Sequence, residues 1–403
     1  MVGRVASVFT LGSFNCHDRL NTFVRPGVQI GTPETRWEER ESLHGINRQA
    51  RVRTAALRTI VWPMRIVASN ANDMRSRIAS LRAECAKATN TAVMAPDGDS
   101  TQLTYRLVRQ TQPSVPWDEL YALQMAEFDL ILTAEPFAYG SEVTLFSASA
   151  GTCPRVLDLS AMVGDYPAPL EISITATVED IASLYAGLVP DLSFDHYNEG
   201  EDMTWVGGTN SDVADAAAHG GYTERNTSAT AAVATYAHTA FYRRGTYLPL
   251  MRARTSANSA RLGYGYGGSE YDYLEIANTT FRTHALKPVA LPIVRTRPGT
   301  PANLQARIQQ NVSGNADLDW VGLCPISWGF ASWVHPTSDA TTLIFGYDGT
   351  LYADGVASTE YKTGGPLYGF RTDRLCIFAD DADGSEDALP CNVTVKYVPR
   401  YAQ

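Results

Sequence analysis

Carboxylates gather at two places in the sequence: Glu199, Glu201 and Asp202 in one, and Asp380, Asp381, Asp383, Glu386 and Asp387 in the other. Glycoside hydrolysis needs two carboxyl groups about 5 to 9 Å apart across a cleft, one to protonate the leaving oxygen and one to attack or to activate water. Adjacency in sequence does not supply that separation, so neither cluster is expected to be a catalytic pair. Asp381, Asp383, Gly384 and Glu386 follow the opening of a calcium loop, in which alternating oxygen donors surround a glycine bend. The series then runs into Pro390 where a further acidic ligand would be needed, and strand-like sequence flanks it, so an acidic hairpin loop is the expectation. The seven histidines, His17, His44, His196, His219, His238, His284 and His335, form no HExxH and no paired-ligand spacing. There is no GxSxG and no glycine-rich loop ending in Lys-Ser or Lys-Thr. No metal, cofactor or catalytic residue is expected, and the chain reads as a non-enzyme.

Aromatic residues offer a different chemistry. Trp328, Phe330 and Trp333 fall in SWGFASW, and Tyr264, Tyr266, Tyr271 and Tyr273 in YGYGGSEYDY. An exposed ring stacks on the apolar face of a sugar while nearby Asp and Asn exchange hydrogen bonds with its hydroxyls. Tyr273, Trp328 and Trp333 are therefore candidate glycan contacts, with packing in a core or at a subunit interface as the competing reading.

Those residues must be held by a large scaffold. A chain of 403 residues favours at least two domains. Its formal net charge of −10 argues against a dedicated DNA- or membrane-binding surface. The basic residues Arg36, Arg40, Arg48, Arg51, Arg53 and Arg58 nevertheless crowd the front of the chain, as expected of a solvated or inter-subunit face. Cys16, Cys85, Cys153, Cys324, Cys376 and Cys391 show no CxxC spacing and are expected to be buried thiols, with Cys376 and Cys391 on neighbouring strands the one pair considered for a bond. The opening MVGRVASVFTLGSFN has neither the apolar core nor the cleavage site of a signal peptide, and no stretch approaches the roughly 20 apolar residues of a membrane helix.

Periodicity sketches the elements. LRTIVWPMRIVA reads as a strand that Pro63 pushes toward an edge or a bulge. Asn70 or Asn72 caps a helix with Met74, Ile78, Leu81 and Cys85 on its apolar face. Pro96-Asp97-Gly98 makes a turn, and Tyr105, Leu107 and then Phe128, Leu130 and Leu132 alternate with polar neighbours as half-buried strands. Pro136-Phe137 stops the second of these, and Val143 and Leu145 restart a strand. Beyond a Gly- and Pro-rich boundary at 150–168, short strands recur at 170–176, 246–253, 271–277, 285–294, 304–308, 341–347, 374–379 and 392–398, a pattern of sandwiches and jelly rolls. The Ala-, Gly-, Ser- and Thr-rich stretch from Asp195 to Tyr242 reads as an exposed insertion whose later part is a weak helix.

The strand before Asn72, the helix DMRSRIASLRAEC, the segment DGDSTQLTYRLVR and above all MAEFDLILTAEPFAYG resemble the N-terminal domain of siphophage distal tail proteins. LDWVGLCPIS and the final LCIFADDADGSEDALPCNVTVKYV are similar in style to the strands of that family's second domain. The resemblance implies a mainly β protein: a sheet-plus-helix, tail-tube-like domain over 1–155, then a galectin-like or jelly-roll β-sandwich over 156–403 with an inserted region at 195–242. It further implies a minor tail protein of the virion, assembled in the host cytoplasm without membrane insertion. Six copies would form a ring at the tail tip or baseplate, joining the tail tube to hub or tip proteins, serving host cell attachment and letting genomic DNA pass. Phe128, Leu130, Leu132 and Phe137 would hold the first domain, and Arg36, Arg40 and Arg48 are the interface candidates. The alternatives are a carbohydrate-binding receptor-recognition protein and a virion-associated glycan hydrolase.

Overall fold

The computed structural model describes residues 8–401 except 32–34, 42–47, 56, 96–101, 114–123, 152, 178–179, 191–196, 237–244, 257–258, 267–268, 292–303, 312–313, 336–339, 359–361 and 382–390. The fold is mainly β, with one α-helix, Ala71–Cys85, among the described residues. Two compact units emerge: the first comprises 1–142, 164–166 and 398–403, and the second 143–163 and 167–397.

In the first unit the helix starts where Asn70 accepts from the backbone amides of Asn72 and Asp73, satisfying groups that have no partner within the helix. Its buried face is Met74, Ile78, Leu81 and Cys85, which share a core with Trp62, Met64, Tyr105, Phe128, Leu130 and Leu132 from the sheet. That sheet runs, neighbour by neighbour, Phe14–Asn15, Val8–Leu11, Asn90–Ala95, Leu103–Gln110, Met125–Ala134, Arg58–Val67 and Thr22–Val24. Alternation along Met125–Ala134 buries Phe128, Leu130 and Leu132 and turns Asp129 and Ile131 outward, as the period of two predicts. Arg400–Tyr401 pairs with Ala138–Tyr139, so the chain's last strand belongs to its first unit.

Pro63 departs from the sequence expectation. Arg58–Val67 is an interior strand, paired along its length with Met125–Ala134 on one side. On the other side it meets two short strands in turn, Thr22–Val24 at residues 64–66 and Gln29–Ile30 at residues 60–61. Pro63 lies between those two registers, where its carbonyl accepts from Arg25 and its missing N–H deprives no neighbour of a bond. Arg58 also departs from the solvated face expected of it: it is 1% exposed, with its guanidinium 5.6 Å from the Tyr105 ring centroid. A separate two-stranded hairpin, Thr35–Glu41 with Arg48–Ala55, pairs with no other strand among the described residues.

The second unit holds two nested pairs of sheets. In the outer pair, one sheet is built on Val143–Gly151, Cys391–Tyr397, Ala168–Ala176 and Thr342–Phe345, the other on Arg155–Asp158, Asp373–Asp381, Ile181–Pro190 and Phe330–Val334. Ile172, Ile174, Val393 and Val395 of the first sheet meet Leu184, Leu188, Leu375 and Ile377 of the second in one buried cluster. The expected hairpin of residues 374–398 therefore does not form: its strands lie in different sheets. Its intervening acidic residues Asp383, Glu386 and Asp387 fall outside the described residues, as do the turn at 96–98 and the loop part of the calcium-like series.

The inner pair is spliced between Ile181–Pro190 and Phe330–Val334. One of its sheets centres on Ala316–Pro325 and Gly245–Thr255, with Tyr222–Asn226 and Asn210–Ala214 beside them, and the other on Leu304–Gln310, Ala232–Tyr236, Ala260–Tyr266 and Ser269–Ile276. The stretch expected to be an exposed insertion with a weak helix supplies strands to both sheets, and Thr223, Asn226, Ala232 and Ala234 are buried. A further buried cluster joins Tyr185, Val189, Cys376 and Phe378 of the outer pair to Leu250, Trp320 and Cys324 of the inner pair. Gly187 sits at this contact, where a Cβ would stand 2.2 Å from the Pro325 carbonyl oxygen.

Candidate functional site

The chemically dense part of the second unit is a chain of buried charges between the nested sheet pairs. Arg252, on Gly245–Thr255, is 1% exposed; Asp319, on Ala316–Pro325, is 0% exposed; Asp380, on Asp373–Asp381, is 2% exposed. The Arg252 guanidinium donates from Nε to Asp380 at 3.0 Å and from an Nη to Asp319, and the same Nη reaches the Ala217 carbonyl at 2.9 Å. Each carboxylate also accepts a backbone amide: His219 donates to Asp319 at 2.8 Å and Thr283 to Asp380 at 2.6 Å. One cation thus serves two carboxylates. Burial opposes the guanidinium's charge, but Asp380 and Asp319 outweigh it and raise its pKa. Burial pushes the Asp319 carboxyl up to about 8 against the pull of Arg252, so the site carries a proton at neutral pH. His284, beside it, is held neutral, pushed down to about 4 by burial. A second ladder runs alongside, with Arg225 and Arg254 both on Asp317 at 2.7 and 3.1 Å and Arg254 also paired with Asp215. The Phe281 ring lies under both Arg252 and Arg254, 5.0 and 4.4 Å from their guanidinium carbons.

The first acidic cluster adjoins this network. Glu199 contacts His219 Nδ1 at 2.8 Å. Gly220 passes so close that a Cβ would stand 2.5 Å from Glu199 Oε2 and 3.3 Å from Glu201 Oε1, and it takes φ +76°, so a side chain there meets both strain and a clash. Burial first, and then the neighbouring Glu199 and Asp202, push Glu201 up to about 7. Burial and Asp212 push Glu224 up to about 8. Glu201 Oε2 and Glu224 Oε1 are buried without a hydrogen-bond partner. Among the described residues no group of three or more His, Cys, Asp or Glu is placed to hold a metal ion. The arrangement stitches strands of the inner and outer sheet pairs together.

The sequence-expected glycan contacts are dispersed. Trp333 is 2% exposed and stacks on His335 at 5.7 Å, leaving no face for a sugar. Trp328 is half-buried, packed on Gly245 and edge-on to Tyr247 at 5.8 Å. Tyr273 is 53% exposed, its ring covered on one face by the Arg261 guanidinium at 3.7 Å. Arg36 and Arg40 lie on one strand of the separate hairpin and Arg48 on the other, in backbone register with Thr54, Gln49 and Glu41 respectively. Cys391 and Cys376 are not partners across neighbouring strands, because their strands belong to different sheets; the Cys391 sulfur instead lies 3.7 Å from that of Cys153. Sequence reasoning missed Arg252 and Asp319, and placed Asp380 in an acidic cluster rather than opposite Arg252. The available signal was a charge embedded in each of the apolar runs LPLMRA, LDWVGL and CIFAD.

No family model matches the chain, and no curated protein matches it. Among solved structures, the phage p2 baseplate in its activated conformation is similar at 9% identity over 97% of this chain and 98% of that one, with a TM-score of 0.29. The SPP1 Dit protein, described as a hub adsorption component of phages infecting Gram-positive bacteria, is similar at 11% identity over 79% and 99%, with a TM-score of 0.27. The CBM36-1 domain of a multidomain xylanase from a termite hindgut metagenome is similar at 14% identity over 32% and 94%, with a TM-score of 0.24. These are weak likenesses, spanning phage tail and carbohydrate-related β folds.

Proposed function

We propose that this chain is a structural, non-enzymatic component of a phage tail tip. In this reading its first unit assembles, six copies together, into a ring between the tail tube and the hub or tip proteins, and its second unit is a β-sandwich module displayed by that ring. The observation that carries the reading is the hairpin of Thr35–Glu41 and Arg48–Ala55, whose strands pair only with each other among the described residues. A lone two-stranded ribbon is marginal in water, and this one carries Arg36, Glu38, Glu39, Arg40, Glu41, Arg48, Arg51 and Arg53. Mixed charge on both strands suits docking against another copy, and closed cyclic assembly is the economical way to cover such an element in every subunit. Native mass spectrometry and particle imaging of the full chain test this. A ring of about six copies is expected, and reversal of Arg36, Arg40 and Arg48 to Glu should break it while the circular dichroism spectrum stays unchanged. A chain that assembles identically after the reversals sinks the role given to the hairpin.

A second reading has its own observation: the exposed Tyr273 ring backed by Arg261. Backed on one face and open elsewhere, it is a surface for a sugar ring, and glycan recognition by the inner module is compatible with a tail-tip role.

A further inference from the structure

We infer that Cys153 and Cys391 are a disulfide-forming pair that covalently closes the outer sheet pair of the second unit. Their sulfurs lie 3.7 Å apart although 238 positions separate them in sequence. All six cysteines are described, and all are buried. Cys324 and Cys376 share a buried cluster without such a sulfur contact, and so do Cys16 and Cys85. The close sulfur–sulfur approach is that of Cys153 and Cys391. Cys391 opens its strand, in register with Gly151 on one side and Ala176 on the other. Cys153 sits on the short link that carries the chain from Val143–Gly151 in one sheet to Arg155–Asp158 in the other. A bond here pins that crossing to the strand Cys391–Tyr397. Bonded sulfurs sit about 2.05 Å apart, so an approach of roughly 1.7 Å completes it.

The chemistry balances with a small disulfide as oxidant. The Cys391 thiolate attacks glutathione disulfide, forming a mixed disulfide and releasing one glutathione thiolate. The Cys153 sulfur, giving up its proton, then attacks the Cys391 sulfur and displaces the second glutathione. Two thiol protons are released, the two protein thiols lose two electrons, and glutathione disulfide is reduced by them to two glutathione thiolates. In the closed contact the Cys153 thiol lowers the pKa of Cys391, while its own is raised by that same contact and by burial. Both sulfurs are enclosed in the folded protein, at 1% and 0% exposure. Exchange therefore belongs to folding or to local opening rather than to the closed state.

The experiment is oxidative refolding of the full chain. Protein unfolded and fully reduced is refolded with a mixture of reduced and oxidised glutathione, alkylated, and analysed by intact mass and by non-reducing peptide mapping. Expected are a loss of about 2 Da, a Cys153–Cys391 linked peptide as the main cross-link, and four alkylated cysteines. The linked form should melt several degrees above the reduced one, as expected for closure of a long loop (about 4 to 8 °C per kcal/mol in small domains and less in large ones). Folded protein held in the same mixture should link at least tenfold more slowly. Cys153→Ala should abolish the mass loss and the melting shift. Six alkylated thiols after refolding, a main cross-link involving Cys324 or Cys376, or a bond between chains would overturn the inference, and the peptide map decides this even if the variant fails to fold.

Discussion

Replacing Arg252 with methionine removes the single cation that two enclosed carboxylates share, while keeping a side chain of similar reach. In the intact protein Asp319 is already pushed up to about 8 by its burial, so the site near neutral pH needs one positive charge for one negative charge. Without Arg252 that negative charge has no partner at 0% to 2% exposure. The folded variant therefore takes up a proton that the unfolded chain does not hold. Protonating an ordinary aspartate, with a pKa of about 3.9, costs about 1.4 kcal/mol per pH unit, hence about 4 kcal/mol at pH 7 and about 1.5 kcal/mol at pH 5. The larger figure agrees with the roughly 3 to 5 kcal/mol seen when one partner of a buried ion pair is removed. The sign follows from linkage. Between pH 4 and 7 the folded variant binds more protons than its unfolded form, so its stability falls as pH rises, relative to the unmodified protein. Urea titrations followed by tryptophan fluorescence at pH 5 and pH 7 measure both losses, and the loss should be more than twofold larger at pH 7. Equal losses at the two pH values would mean that only volume and packing had changed, and would refute the shared-charge account. Adding Asp380→Asn to the variant should remove the pH dependence of the loss, because Asp319 then holds one proton as it does in the unmodified protein.

Glu224→Gln should be modestly stabilising at pH 5.5 and more strongly so at pH 8.5. The raised pKa of Glu224, about 8, means that the folded protein loses stability as pH climbs from the ordinary carboxylate range through that value, and glutamine has no such titration; urea midpoints at the two pH values check it. Trp333→Ala should cost about 3 to 5 kcal/mol, as large-to-small changes of buried aromatics do, whereas Tyr273→Ala should change stability by less than about 0.5 kcal/mol. If the inner module recognises glycans, Tyr273→Ala should also reduce retention on immobilised polysaccharide in affinity electrophoresis, and unchanged retention would remove Tyr273 from that role.

How far the sequence could be read depended on whether one face of each element meets water. The helix was legible down to its cap, because Met74, Ile78, Leu81 and Cys85 repeat at helical steps beside exposed arginines, and Asn70 provides the capping oxygen. Met125–Ala134 was legible because its residues alternate between core and surface. Ile181–Pro190 carried no such signal. Leu184 and Leu188 face one core while Tyr185 and Val189 face another, so the strand is apolar throughout and shows no period. The small-residue stretch between 195 and 242 misled for a related reason: Ala232 and Ala234 are fully buried residues whose size hides their burial. The charge network could not be found from spacing at all, since Arg252 meets Asp319 and Asp380 from 67 and 128 positions away.

The splicing of the inner sheet pair into the outer one fixes an order of events during synthesis. Every strand of the inner pair lies between Tyr197 and Pro325, so that module can complete its hydrogen-bond ladders as soon as this stretch has left the ribosome. The outer pair cannot: Val143–Gly151 waits for Cys391–Tyr397, and Arg155–Asp158 and Ile181–Pro190 wait for Asp373–Asp381. Contacts this distant along the chain are slow to close, and until residues 373–397 have been made the edges of these early strands that await them stand unpaired. The inner module shortens the search by bringing the ends at Pro190 and Phe330 near each other before their partners arrive. A nascent chain stalled before residue 373 would therefore carry one finished module and one open sheet, the state in which it is most exposed to proteolysis and to mispairing with a neighbouring copy.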